Sequence, residues 1–143
     1  MSGAGVLTVA VPFVWLGMVL AISFLEAPLK FRAPGITLPL GLGIGRLVFR
    51  ALNGVEIALA ALLVVGGVST GMSQLGWLLL AGLVLLLVLQ VLLRPRLDQR
   101  AMRIVAGRTP PPSRLHLAYI ALEGVKVFTL PVLGMVLATS VLQ

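Results

Sequence analysis

The chain reads as an all-α protein, a four-helix transmembrane bundle, and three observations lead there. Apolar residues make up 59% of the sequence and the mean hydropathy is +1.14. Charged residues are only 10%, against about 25% in average globular chains. The apolar residues also fall in unbroken runs near the ~20 needed to cross a bilayer. Four spans and their connections take up the 143 residues as a single integral membrane domain. An ordinary water-soluble domain is thereby excluded. The chain has no cysteine, which removes disulfides, thiolate metal sites and cysteine nucleophiles.

The first span is expected at about residues 6–25. No charge precedes its end, so the basic leader of a signal peptide is missing and the run reads as a retained span. Pro12 lies inside it, as membrane helices tolerate. From Glu26 to Gly35, and again from Pro39 to Gly45, proline and glycine argue against a continuous helix. The second span is expected at about 46–68 with Glu56 inside it, followed by an uncharged turn from Ser69 to Ser73. The third, about 75–93, is mostly leucine and ends at Arg94 and Pro95. A short amphipathic segment, Arg96 to Ala106, should follow in the loop, with Gly107 as its stop and a stiff Thr109–Pro112 linker. Ser113 is placed to cap the fourth span, about 115–137, in which Pro131 offers a kink.

The basic residues set the orientation. Lys30, Arg32, Arg46 and Arg50 surround the first connection, and Arg94, Arg96, Arg100, Arg103, Arg108 and Arg114 the third, while the second connection has none. The positive-inside rule puts the two basic connections in the cytoplasm and both termini outside, in a multi-pass protein of the plasma (inner) membrane. The net charge of +7 is then explained by topology and by anionic head groups rather than by nucleic acid.

Two polar stripes carry the chemistry. Arg46, Arg50, Asn53 and Glu56 lie within about a third of the circumference of the second span, at ~100° per residue. His116, Tyr119, Glu123 and Lys126 form a similar stripe on the fourth. Glu56 and Lys126 each lie ten positions in from the start of their stripe, roughly 15 Å deep at ~1.5 Å per residue. Ionised side chains at that depth cost at least ~2.5 kcal/mol each, so the stripes should face each other across a polar cleft open to the cytoplasm. Glu56 would pair with Lys126, and Glu123 with Arg50 or Asn53, while Glu26 and Lys30 would close the mouth. Structural ion pairs that fix the helix register are the competing explanation.

Gly41, Gly43 and Gly45 lead into Arg46 without the Gly-Lys-Ser/Thr of a P-loop. They suit close helix packing and lipid anchoring better than a phosphate site. The lone His116 excludes a bis-histidine haem within one chain, and no ligand spacing calls for a metal or other cofactor. Trp15 and Trp77 read as interface anchors.

Trp15 and Gly17, the stretch Phe24 to Phe31, Arg94-Pro95 and His116 give the chain a resemblance to small four-span proteins related to the copper-resistance protein CopD. That resemblance implies a four-span membrane fold. Copper handling would call for more histidine and methionine than this chain supplies.

The leading expectation is binding or transport of a small anionic or amphipathic ligand, in a homo-oligomer or beside another membrane protein. Glu56 and Glu123 would be the ligand- or proton-coupled carboxylates, Lys126 and Arg50 their partners, and Arg46 and His116 the entrance. A membrane enzyme acting on a lipid or quinone-like substrate is the alternative, with Glu123, His116 and Tyr119 in acid–base roles. An accessory subunit of a larger membrane complex is the third.

Overall fold

The computed structural model describes residues 2–141, and the described residues are helical with no strand. Four rods are each long and apolar enough to cross a membrane: α1 (Gly3–Arg32), α2 (Leu38–Thr70), α3 (Gln74–Val105) and α4 (Leu115–Val141). Helices α1 and α3 each pack on both α2 and α4. The helices therefore stand at the corners of a square, with α2 diagonal to α4. Short connections make successive helices antiparallel neighbours. The α1–α2 and α3–α4 connections share one end of the bundle, with ten of the eleven lysines and arginines on or beside them. This is the basic end.

The inward positions recur at alternating steps of three and four residues. On α1 they are Gly5, Thr8, Pro12, Trp15 and Val19, and on α3 they include Gly76, Leu80, Leu83, Leu87 and Gln90. On α4 they include Tyr119, Glu123, Lys126, Leu130, Leu133 and Leu137. A 3.5-residue repeat is the seam of a left-handed bundle. The outward positions are as apolar as the seam: Leu7, Leu62, Val65, Leu78, Leu85 and Phe128 are all exposed. An outer surface of this kind requires hydrocarbon rather than water as its solvent. The apolar core, including Trp15, Leu63, Leu83, Leu130 and Leu133, fills the half away from the basic end. Small residues set the helix spacing there. A Cβ at Gly66 would lie 2.3 Å from Thr8 Oγ1, and one at Gly134 would lie 2.5 Å from the Phe13 ring.

Helix ends follow local chemistry. Ser73 Oγ accepts from Gly76 N–H at the start of α3, and Ser113 Oγ accepts from Leu115 N–H at the start of α4. Gly71 (φ 75°) and Gly107 (φ 83°) take the left-handed conformation that closes α2 and α3.

Three boundaries depart from the sequence expectation. The first rod does not break at Glu26: an α-helix (Gly3–Val19) widens into a π-helix (Leu20–Glu26) and passes through Pro28 to Arg32. The π turn moves the hydrogen bonds one residue on, with Ala27 N–H donating to Ile22 O, and this relieves the clash that a proline ring makes in a regular helix. Helix α2 starts at Leu38 rather than Arg46. Thr37 caps it and Pro39 sits in the first turn, where no N–H is needed. Finally, Arg96 to Ala106 is not a separate amphipathic helix, because α3 runs through Pro95 to Val105. Leu97 stays buried and Arg94 pairs with Asp98 across the proline, so the rod continues.

Candidate functional site

All four helices send a polar side chain to the middle of the bundle. Trp15 from α1, Glu56 from α2, Gln90 from α3, and Glu123 and Lys126 from α4 are each 0–2% exposed. Because α2 and α4 are diagonal partners, the Lys126–Glu56 contact crosses the centre of the square. Lys126 Nζ donates to Glu56 Oε2, which also accepts from Trp15 Nε1 at 2.7 Å. The same ammonium lies 2.8 Å from Glu123 Oε1, one turn earlier on its own helix. Gln90 Nε2 donates to Glu123 Oε1 at 2.5 Å, and Ser23 Oγ, from the π-helical turn, donates to Glu123 Oε2 at 2.8 Å. Two carboxyls thus share one ammonium and are ringed by neutral donors. This is the arrangement that makes buried ionisable groups tolerable at membrane depth.

On the basic side of this hub lies a cavity of about 550 Å³ lined by all four helices. Its walls include Phe24, Pro28, Phe31, Leu97, Ile104 and Ile120, and Glu123 is the lining residue of α4 farthest from the basic end. Lys30, Arg46, Arg94 and Arg100 supply its cationic groups, and His116 also lines it. Two of these are held on aromatic faces. The Arg94 guanidinium lies 4.8 Å from the Tyr119 ring centroid and 5.2 Å from that of Phe49. Lys30 Nζ lies 5.6 Å from the Phe31 centroid and 6.0 Å from that of Phe49. Asp98 orients Arg94 at 3.3 Å and lies 4.0 Å from Arg46. The glycines of α2 make room for this. A Cβ at Gly41 would overlap the Phe31 ring at 2.2 Å, and one at Gly45 would come within 3.0 Å of Lys30 Nζ. Their role here is close approach of α1 to α2.

The stripes read from the sequence meet, with changes of partner. Glu56 takes Lys126 as expected. Glu123 takes Lys126, Gln90 and Ser23 instead of Arg50 or Asn53. Asn53 Oδ1 accepts from Tyr119 OH at 3.2 Å. Arg50 and Glu56 lie about 120° apart around their helix at ~100° per residue, at opposite edges of the stripe. Arg50 is consequently exposed in a separate groove between α2 and α3, together with Arg46 and Arg94. Lys30, Arg46, His116 and Tyr119 line the cavity, whereas Glu26 pairs with Lys30 at 3.7 Å and does not line it. Trp15 is no interface anchor: it is fully buried and donates to Glu56. Gln90, Ser23 and Phe49 also belong to the site and escaped the sequence reading, while Arg94 and Asp98, whose spacing of four reads as an ordinary helical pair, join it as well. The signal for Trp15 and Gln90 was their position on the three-and-four seam.

Among the described residues, no three His, Asp or Glu side chains come together as a metal-ligand set. No family model, curated protein or solved structure matches the chain, and nothing in these comparisons bears on the CopD-related group.

Proposed function

We propose that the protein binds, and passes between membrane and solution, a small amphipathic anion: a carboxylate or phosphate head on an apolar body. The cavity carries this reading. A volume of about 550 Å³ lies within the range of small-molecule sites. Apolar walls with cationic groups from three different helices match one charged head and one greasy body. Lys30 and Arg94, fixed on Phe49, are the head-group ligands, since a preplaced cation loses little entropy when it binds. By the positive-inside rule the basic end faces the cytoplasm. The ligand then enters from the cytoplasmic solution or inner leaflet, and the packed core beyond Trp15 closes the other side. A catalytic role for His116, Tyr119 and Glu123 is the second reading, favoured by their common place on the cavity wall.

Titration of a fluorescent long-chain fatty acid into the protein, held in bilayer discs of zwitterionic lipid, tests the proposal. Saturable binding is expected. Arg94→Gln and Lys30→Gln should each weaken it about tenfold or more, because a hydrogen bond to a charged group contributes ~1.5–3 kcal/mol. Non-saturable uptake, or wild-type affinity in both variants, contradicts the proposal. Recovery of a chemically altered ligand would move the assignment to the enzyme.

A further inference from the structure

The hub holds more acceptors and more negative charge than its donors can satisfy. With every group ionised, Glu56, Glu123 and Lys126 sum to one uncompensated negative charge, and all three are at most 2% exposed. An unpaired charge in so dry a place costs several kcal/mol. A second observation points the same way. Glu56 Oε1 and Gln90 Oε1 are buried oxygens without a hydrogen-bond partner among the described residues. Oxygens of this kind are normally satisfied.

We infer that Glu56 Oε1 is a proton-binding site, so that the hub rests as neutral Glu56, ionised Glu123 and protonated Lys126. The assignment to Glu56 over Glu123 follows from the hydrogen bonds. Both oxygens of Glu123 accept, Oε1 from Gln90 and Oε2 from Ser23, with the ammonium 2.8 Å from Oε1. That pattern is a carboxylate's. On Glu56 only Oε2 accepts, from Trp15 and Lys126, and Oε1 is left free to carry a hydrogen. The buried side chains of the hub and the turn beside it are Trp15 from α1, Asn53 along α2, Gln90 from α3, and Tyr119, Glu123 and Lys126 from α4. Only Glu123, Lys126 and Tyr119 of these are ionisable. A metal cation fits poorly beside an ammonium, with two free oxygens where hard cations take six or more. A proton needs one.

The step balances with hydronium as the donor: one of its O–H bonds breaks and leaves water, one O–H bond forms on the Glu56 carboxylate, and the reverse transfer returns the proton to water. Glu123 lines the cavity and shares Lys126 with Glu56, which links the site to the basic-end solution. This inference stands whether or not the cavity takes an amphipathic anion.

Infrared spectroscopy of the full chain in liposomes at neutral pH, with thermal unfolding of the same samples, provides the test. The wild type should show the C=O stretch of one protonated carboxyl, shifted in D2O and lost in Glu56→Gln. The amide of Glu56→Gln replaces a neutral carboxyl in shape and in hydrogen bonding, so this variant should melt close to wild type. Glu123→Gln puts an amide where donors converge and should melt well below it. A wild type without the band, a band that persists in Glu56→Gln, or a Glu56→Gln protein as unstable as Glu123→Gln would each overturn the inference.

Discussion

Lys126 reaches across the bundle from α4 to Glu56 on α2 while remaining within 2.8 Å of Glu123 on its own helix. Removing it leaves two buried carboxyls without a cation, and breaking a buried pair on one side costs about 3–5 kcal/mol. Lys126→Met should therefore lose stability of that order, read as the shift in its denaturation curve in detergent micelles. Trp15→Phe should lose less, roughly 1–3 kcal/mol, since it deletes one donor to a carboxyl that keeps another. Equal stability of Lys126→Met and wild type would contradict the assignment of the hub. Residues at this scale differed in how well the sequence disclosed them. Glu56 and Lys126 were legible because a charge in an apolar run has few places to go. Gln90 is uncharged within a run of leucines, and Trp15 carries a side chain that membrane proteins also place at interfaces. Only the seam register, which becomes firm once the helices are paired, separates those roles.

Helix ends were harder to read than helix existence, and proline explains why. All four spans were legible from apolar runs, yet Pro28, Pro39 and Pro95 each lie within a rod that was expected to stop short. Each is tolerated by a local device: a π turn before Pro28, a first-turn position for Pro39, and an ion pair with buried Leu97 around Pro95. None of these devices leaves a pattern in composition. Glycine gives the sharper prediction. Gly66→Ala and Gly134→Ala would drive a methyl into Thr8 and Phe13, and overpacking of this kind costs about 1–3 kcal/mol. Gly54 and Gly124 have open space at the same position, so their alanine variants should unfold with wild-type midpoints. A matched fall in all four variants would contradict the helix spacing described for α1, α2 and α4.

The whole molecule inverts the arrangement of a water-soluble protein, with an apolar exterior around a polar centre and a cavity at the basic end. The charge distribution in the sequence anticipated that end, because ten of eleven basic residues gather at two connections. A polar cleft at that end was expected from the two stripes, but most of its apolar wall was not legible. That wall depends on the π-helical course of α1, which carries Lys30 and Phe31 past the point where a break was expected. The absence of native cysteine makes the cavity open to a clean chemical probe. Ala101 lines it on α3, so an Ala101→Cys variant reports on its occupancy through the rate of maleimide labelling in liposomes. A long-chain fatty acid should slow that rate severalfold, whereas acetate and a neutral alcohol of the same chain length should not. Labelling at one rate with all three would contradict an amphipathic-anion site.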